Sequence, residues 1–321
     1  MKAYKTAINL EWTSKCNARC VMCPQGEIEH PMLMQPWVFA QVLERLDAAN
    51  VFRVVIAGYG EPTTHPKFMP FIDSLRGRAQ RFDMVSNGHL LDRGKLEQLD
   101  GVIHTLMVSF SSVDPEVYRQ VHVNLDHETV KEHIVLAHRT LKHTRLAISL
   151  TPLPQCLDTL EATVNWFRQQ GIDNLTMSPT LYNRAGNLQA HKIASARLRG
   201  MIKTHRLHSQ ELDFVPALKD IARQNINCRF RCLPRNVDLF IASSGDYLYC
   251  YNDVAHRHVL GNVETLSIDE ALERRERLPA LPSLCDSCNM RQRYGALEIA
   301  RVAFGLIRER AAGSVGAARP G

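Results

Sequence analysis

Alternating apolar and amphipathic runs constrain the fold of this 321-residue chain more than any other feature. Six short apolar runs are typical of buried strands, and four longer runs have helical periodicity. The strand candidates are residues 7–12, 53–57, 81–86, 105–110, 145–150 and 174–178, and the helix candidates are residues 37–49, 91–99, 127–141 and 159–170. Strands that alternate with helices predict an α/β fold with a parallel sheet. Six such units close only part of an eight-unit barrel, so we expect a partial (β/α)6 TIM-like barrel with its active face at the carboxyl ends of the strands.

The last third of the chain predicts a smaller unit of different construction. Residues 237–242 and 247–251 flank a turn that contains Gly245, which is typical of a β-hairpin. Residues 267–277 predict a helix, with Ser267 as the N-cap of a capping box. We therefore expect a hairpin followed by a helix after the barrel.

Composition and charge limit the classes of function. Hydrophobic residues make up 45% and charged residues 22% of the chain, which is typical of a globular protein. No apolar run reaches the roughly 18 residues that span a bilayer, and the start lacks the apolar stretch of a secretory signal. We therefore expect a cytoplasmic protein without a membrane partner. The net charge of +6 is scattered, so nucleic-acid binding is not expected.

Eight of the nine cysteines fall into two clusters, and Cys156 lies alone between them. The clusters suggest two metal sites, because clustered cysteines in a reducing compartment more often bind metal than form disulfides. The first cluster is Cys16, Cys20 and Cys23, directly after the first strand. A closed zinc site takes four ligands, whereas a cubane iron–sulfur cluster held by three cysteines leaves one iron open to a small molecule. A zinc knuckle that borrows a distant fourth ligand is the alternative interpretation.

The spacing of these cysteines, with three residues and then two between them, resembles the signature of the radical S-adenosylmethionine (SAM) superfamily. The resemblance implies a [4Fe–4S] cluster whose open iron is chelated by the amino and carboxylate groups of SAM. It also implies that one-electron reduction cleaves SAM to a 5'-deoxyadenosyl radical. An external one-electron donor, such as flavodoxin or ferredoxin, is then a required partner.

Other residues match further parts of the family pattern. The segment from Gly58 to Pro62 resembles the glycine-rich GEP loop, in which Gly60 would let the backbone approach SAM and Glu61 would accept hydrogen bonds from its ammonium group. Met22 stands where the family often has an aromatic residue near the SAM adenine. The family contacts the ribose and carboxylate of SAM at the ends of the third and fourth strands, which here carry Ser86, Asn87, Ser109 and Ser111.

The second cluster supplies four further cysteines, which can fully ligate one metal ion or cluster. Cys232 and Cys250 belong to the hairpin region, and Cys285 and Cys288 form a CxxC after the predicted helix. Zinc is the alternative occupant, because tetrahedral sulfur suits both metals. The arrangement resembles the twitch domain, an abbreviated SPASM domain that holds one auxiliary [4Fe–4S] cluster.

Among twitch proteins, the chain is similar to the dehydrogenases of the aminocyclitol 2-deoxy-scyllo-inosamine. The residues that carry this likeness are Tyr59 to Pro62, the turn Asn183-Arg184-Ala185-Gly186 and the tripeptide Gly261-Asn262-Val263. The expected organisation is a radical SAM barrel at residues 1–183, a helical bridge at 184–227, a twitch-like domain at 228–293, and a helix with a disordered tail at 294–321.

Three residues are candidates for direct roles in catalysis. Cys228 and Cys156 belong to neither ligand set; each is either an inert buried thiol or a hydrogen-atom donor of the kind that radical SAM epimerases use. Arg184 is expected to contact substrate from the turn after the sixth strand.

The resemblance predicts an enzyme that abstracts hydrogen from an unactivated C–H bond and dehydrogenates a small polar natural product. Epimerisation, or cross-linking of a ribosomal peptide, is the alternative outcome of the same machinery. Only fifteen residues precede Cys16, which favours a small molecule over a peptide substrate. A non-catalytic zinc or iron–sulfur module is the alternative from another class.

Overall fold

The computed structural model describes residues 6–179, 182–183, 195–210, 232, 238–278, 282–289 and 304. The strands are β1 (Thr6–Leu10), β2 (Val51–Ile56), β3 (Phe82–Ser86), β4 (Thr105–Phe110), β5 (Arg145–Leu150), β6 (Leu175–Met177), β7 (His208–Ser209), β8 (Asp238–Ile241), β9 (Asp246–Leu248) and β10 (Val259–Asn262). The helices are α1 (Pro36–Ala48), α2 (Phe68–Leu75), α3 (Arg93–Leu99), α4 (Pro115–Val121), α5 (His127–Thr140), α6 (Pro154–Leu157), α7 (Leu160–Gln169), α8 (Ser195–Thr204) and α9 (Ile268–Glu276).

Strands β1 to β7 lie side by side in chain order, and each neighbouring pair is parallel. A helix follows each of β2 to β6 along the chain. This arrangement confirms the expected α/β partial barrel. Because parallel strands share a direction, the residues that follow Leu10, Ile56 and Ser86 meet at one edge of the sheet. The polar loops of the candidate site begin at that edge.

The C-terminal hairpin continues the barrel sheet. Strand β8 pairs in parallel with β1, with Leu10 opposite Ile241, and β9 and β10 follow as antiparallel strands. The predicted hairpin is therefore confirmed, whereas the sequence patterns gave no sign of β10. Main-chain hydrogen bonds cross the expected boundary between barrel and C-terminal unit.

Local capping explains where several helices begin. The predicted helix at 91–99 begins at Arg93, because the Asp92 side chain accepts a hydrogen bond from the Lys95 amide as an N-cap. Helix α9 has the predicted capping box of Ser267 and Glu270. The sequence patterns did not predict the short helices α2, α4 and α6, which have eight, seven and four residues.

An aromatic cluster closes the barrel core behind the first cysteine loop. The Trp12 ring is 1% exposed and meets Phe39, Phe68 and Phe71 edge to face, with ring centroids 5.4 to 6.0 Å apart. Each such pair contributes about 0.5–1.5 kcal/mol beyond the burial of apolar area. Trp12 thereby anchors the chain four residues before Cys16.

Candidate functional site

The first cysteine loop is held against the end of α4. The Arg19 amide donates to the Val123 carbonyl at 2.9 Å, and the Val21 amide donates to the Val121 carbonyl at 3.0 Å. Cys20 lies between these two bonds. The loop that carries the three cysteines is therefore supported by main-chain bonds on both sides of its middle cysteine.

The thiols of this loop are close enough to raise one another's pKa values. Burial raises the pKa of Cys16 to about 11, and the negative charge of Glu61 and of Cys23 adds to the effect. Burial also raises the pKa of Cys20 to about 12, with further contributions from Cys23 and Cys16. Neighbouring buried thiolates need a cation to offset their charge, and iron supplies that charge in a cluster.

The donor set fits a cubane cluster held by three cysteines. Among the described residues, no group of three or more His, Cys, Asp or Glu side chains converges as it would on a single metal ion. In a cubane each thiolate binds a different iron, so the thiols must surround a volume and need not converge on one point. Cys16, Cys20 and Cys23 would hold that cluster, and the fourth iron would be free to bind SAM.

The GEP loop packs directly on the cysteine loop. The Glu61 amide donates to the Lys15 carbonyl at 3.0 Å. A Cβ atom at Gly60 would collide with the carbonyl oxygens of Thr13 and Lys15, so only glycine allows this approach. The predicted loop after β2 thus lies beside the cysteines because Gly60 lacks a side chain.

The Glu61 carboxylate joins this loop to the end of β3. Its Oε1 accepts hydrogen bonds from the Thr63 amide at 3.1 Å, the Thr63 hydroxyl at 2.6 Å and the Ser86 hydroxyl at 2.8 Å. Its Oε2 accepts from the Asn87 amide at 2.7 Å. Burial raises the pKa of Glu61 above its ordinary value, and these hydrogen bonds offset only part of that increase. The binding of a SAM ammonium group by Glu61 stays a prediction, and it would use the remaining acceptor capacity of Oε2.

The other predicted SAM contacts lie at the ends of β3 and β4. The side-chain Nδ2 of Asn87 donates to Asn17 Oδ1 at 2.7 Å, which connects β3 to the residue after Cys16. Ser109 is half-buried in β4 beside Ser149 of β5. Ser111 is 2% exposed, and its buried hydroxyl has no hydrogen-bond partner among the described residues. An unpaired buried hydroxyl is a suitable group for a ligand to engage.

Met22 and Cys156 lie in one small apolar cluster. The half-buried Met22 side chain packs with Val121, Leu153 and Cys156, and Cys156 is 1% exposed. Burial raises the pKa of the Cys156 thiol to about 12, so it is a neutral thiol at physiological pH. The role of Cys156 as a hydrogen-atom donor stays a prediction.

The described members of the second cysteine set also lie near one another. Burial raises the pKa of Cys250, and the nearby thiols of Cys232, Cys288 and Cys285 add to the effect. Cys232, Cys285 and Cys288 are buried, and Cys250 is half-buried. Cys232, Cys285 and Cys288 therefore lie near enough to Cys250 to affect its charge, and four thiol donors fit the chemistry of the expected auxiliary site.

Asn252 contacts two thiols of this second set. Its amide N–H donates to Cys250 Sγ at 3.5 Å, and its Nδ2 donates to Cys288 Sγ at 3.8 Å. The residue is 1% exposed. Nothing in the sequence singled out Asn252, because its contact to Cys288 joins segments 36 residues apart.

Two other site residues were missed by the sequence analysis. Glu11 is buried at the end of β1, where its Oε2 accepts from the Tyr59 amide at 2.9 Å and its Oε1 accepts from the Ser243 hydroxyl at 3.1 Å. His122 is buried with its Nδ1 3.3 Å from Cys20 Sγ. The only available signal for Glu11 was a charged residue at the end of an apolar strand.

Two predicted catalytic residues, Cys228 and Arg184, lie outside the described residues. The same holds for most of the expected bridge at 184–227 and of the C-terminal segment at 294–321. Their predicted roles stay predictions.

The part of the chain from β1 to β6 matches a protein-family model. The model of the radical SAM superfamily matches residues 10–175, which is just over half of the chain. The chain belongs to the radical SAM superfamily. Membership implies SAM and a [4Fe–4S] cluster, and the first cysteine set lies within the matched region.

Curated relatives within the superfamily share about half of this chain or less. A probable GTP 3',8-cyclase of Methanococcus maripaludis strain C7 is 25% identical over 162 residues, which is 50% of this chain and 51% of the relative. The tungsten-containing aldehyde ferredoxin oxidoreductase cofactor-modifying protein of Pyrococcus furiosus is 30% identical over 98 residues, or 28% and 26% of the two chains. The chain thus spans about half the length, or less, of these relatives.

Solved radical SAM structures match over a larger part of the chain. Streptococcus suis SuiB bound to precursor peptide SuiA has a TM-score of 0.70 at 15% identity, covering 90% of this chain and 70% of SuiB. BtrN in complex with AdoMet and 2-DOIA has a TM-score of 0.56 at 17% identity, covering 90% and 94%. Native anSMEcpe with bound AdoMet has a TM-score of 0.59 at 16% identity, covering 83% and 80%. At these identities the likeness shows the fold.

Within the described residues, no helix has the length and apolar character needed to cross a membrane.

Proposed function

We propose that this radical SAM enzyme dehydrogenates a small polar natural-product intermediate and carries a second, auxiliary [4Fe–4S] cluster. The observation that carries the proposal is the clustering of four thiols around Cys250, which lies within electrostatic range of Cys232, Cys285 and Cys288. Four thiolates ligate all four irons of a cubane. Such a cluster has no open iron for substrate, so electron transfer is the chemistry left to it.

The first cysteine set and the loops around it would serve the SAM site. When bound, the cluster and SAM supply a 5'-deoxyadenosyl radical that abstracts one hydrogen atom from substrate. The chain's own residues bring the GEP loop against the cysteine loop through Gly60 and orient the end of β3 through Glu61. The buried Ser111 hydroxyl is available to the SAM carboxylate or ribose.

The proposed reaction balances in atoms and electrons. One hydrogen atom would leave the hydroxyl-bearing carbon for the adenosyl carbon, which would give 5'-deoxyadenosine. The substrate would then lose one proton to the medium and one electron to the cluster that Cys232, Cys250, Cys285 and Cys288 would hold, which would give a carbonyl. An external donor such as flavodoxin or ferredoxin would supply the electron that starts each catalytic cycle. The auxiliary cluster would have to pass the substrate electron to an acceptor before the next cycle begins.

The fold of BtrN supports a small substrate, because this chain covers 94% of a structure bound to AdoMet and 2-DOIA. The fold of SuiB supports the second candidate, a peptide-modifying enzyme, because SuiB is similar over 90% of this chain and was solved with a precursor peptide. A radical epimerase is the third candidate and needs a thiol donor such as Cys156 or Cys228. Its product would have the oxidation state of its substrate.

Metal analysis and isotope labelling test the proposal. Anaerobically purified protein should contain about eight iron atoms per chain, whereas zinc without iron would support a non-catalytic zinc module. In deuterated water, a dehydrogenated product should lose two hydrogens and gain no label at the reacting carbon. A product that gains one mass unit and does not lose two hydrogens would indicate epimerisation and contradict dehydrogenation. Loss of the label in Cys156→Ala or Cys228→Ala would then identify the donor.

A further inference from the structure

His122 faces the middle cysteine of the first set across a short main-chain pairing. The amides of Arg19 and Val21 donate to the carbonyls of Val123 and Val121, so Cys20 and His122 occupy the position between the two bonds. In an antiparallel pairing, this is where side chains come closest. His122 Nδ1 lies 3.3 Å from Cys20 Sγ, within hydrogen-bond distance for sulfur.

The surroundings hold the His122 ring in this place. The residue is 1% exposed, and its ring lies against Tyr118 with ring centroids 4.9 Å apart. Its amide donates to the Tyr118 carbonyl at 2.8 Å, which fixes the backbone at the end of α4. A ring supported on its backbone and on one face has little freedom to turn away from the thiol.

The direction of the hydrogen bond follows from the chemistry of the two atoms. A cysteine that binds iron does so as a thiolate, and a thiolate can only accept a hydrogen bond. The hydrogen must therefore be on Nδ1. The second ring nitrogen, Nε2, is buried and has no hydrogen-bond partner within the described part of the chain. The contact with Cys20 is thus the one polar contact of the His122 ring among the described residues.

We propose that His122 donates a hydrogen bond to the thiolate of Cys20 and thereby makes the SAM-binding cluster easier to reduce. The proposal rests on the proposed function only in assigning a cluster to Cys16, Cys20 and Cys23. Reduction places additional negative charge on the iron and its sulfur ligands, and a donor at sulfur stabilises that charge. This stabilisation of the reduced cluster is strong here, because solvent screens a buried hydrogen bond poorly. His122 is a positioning residue, since it acts through Cys20.

Two substitutions separate the hydrogen bond from ring packing. His122→Phe keeps an aromatic ring against Tyr118 and removes the donor. His122→Asn places an amide nitrogen close to the position of Nδ1 and restores a donor. Tyr118→Phe is the matched control, because it changes the same aromatic contact but removes a hydroxyl that has no hydrogen-bond partner among the described residues.

The readout is the midpoint potential of the cluster in reconstituted full-length enzyme, followed by electron paramagnetic resonance. The signal that changes when SAM is added identifies the SAM-binding cluster. At a fixed applied potential, the ratio of reduced to oxidised cluster should fall about tenfold in His122→Phe, which equals a shift of about 59 mV for one electron. The ratio should return toward the wild-type value in His122→Asn and stay unchanged in Tyr118→Phe.

A wild-type measurement keeps the test independent of how well the variants fold. In protein labelled with ¹⁵N-histidine, the reduced SAM-binding cluster should show weak magnetic coupling to a histidine nitrogen. Absence of that coupling, or an unchanged potential in a fully loaded His122→Phe variant, overturns the proposal. An equal shift in Tyr118→Phe also overturns it, because a change that leaves the contact between His122 and Cys20 in place would then have the same effect. Wild-type protein without iron or a SAM-sensitive signal would instead contradict the proposed function.

Discussion

The hydroxyl of Tyr59 donates a hydrogen bond to the backbone carbonyl of Tyr251. Tyr59 belongs to the GEP loop, which packs on the first cysteine loop, and Tyr251 directly follows Cys250 of the second set. The Tyr59 amide also donates to Glu11, which accepts a second hydrogen bond from the Ser243 hydroxyl. The two cysteine sets are therefore connected through one buried tyrosine and one buried carboxylate.

This connection predicts a specific defect in Tyr59→Phe. The variant loses one partly buried hydrogen bond, so its free energy of unfolding should fall by about 0.5–1.5 kcal/mol. The yield of product per 5'-deoxyadenosine should also fall, because the two loops are no longer held in register. Tyr247→Phe is a matched control, since its hydroxyl donates to the Leu266 carbonyl at 3.2 Å away from the GEP loop. It should lose similar stability and keep the wild-type yield; the same drop in yield would contradict a role for the Tyr59 contact.

Replacement of Cys16, Cys20 or Cys23 by Ala should abolish reductive cleavage of SAM, because three thiolates are needed to hold the cluster with its open iron. The measurement is 5'-deoxyadenosine formed by anaerobic enzyme with dithionite. Cys156→Ala is the control for iron content, which should stay at the wild-type level. Wild-type rates of 5'-deoxyadenosine formation in all three variants would contradict the assignment of these three cysteines as ligands of the SAM-binding cluster.

Replacement of Cys285 by Ala should separate SAM cleavage from product formation. Loss of the auxiliary cluster lowers the iron content from about eight to about four atoms per chain. The enzyme should still form 5'-deoxyadenosine, but it should yield no dehydrogenated product, because the substrate electron has no acceptor. An unchanged product yield in protein with four iron atoms would show that the second cluster is not that acceptor.

Glu61→Gln should weaken SAM binding by about 1.5–3 kcal/mol if the carboxylate meets the SAM ammonium group, which is the range for hydrogen bonds to charged groups. The change also places an amide donor among the donors of Thr63, Ser86 and Asn87, so the apoprotein should lose stability. SAM affinity and denaturant unfolding are measured together, with Glu44→Gln on the exposed face of α1 as the control. Reduced stability with normal SAM affinity would assign Glu61 to loop support alone.

Arg184→Ala should leave uncoupled SAM cleavage intact and remove product, because a guanidinium in this turn would orient hydroxyl or carboxylate groups of the substrate. The ratio of product to 5'-deoxyadenosine is the measurement. Arg197→Ala, on the exposed face of α8, is the control and should behave as wild type. Equal loss of both products in Arg184→Ala would indicate a folding defect instead.

Much of the barrel was predictable because its signals are local. Strands β4 and β5 match their predicted bounds in full, since each apolar run is bounded by polar residues and lies within a regular strand and helix alternation. The Ser267 capping box was predictable for the same reason, because its partners are three residues apart. Helices α2, α4 and α6 were missed because short helices carry too few turns to show a period. The equally short α3 was predicted only as part of a longer run that begins at Leu91.

The sequence by itself determined the chemistry of the site: the spacing of Cys16, Cys20 and Cys23, the glycine in the GEP loop and the CxxC of the second set are all contained in short segments. Tertiary structure alone decided which groups surround that chemistry. The contact of His122 with Cys20 spans 102 residues, and that of Ser243 with Glu11 spans 232. Such pairs leave no periodic or spacing pattern, because they exist only after the parallel pairing of β8 with β1 and the docking of α4 bring distant segments together.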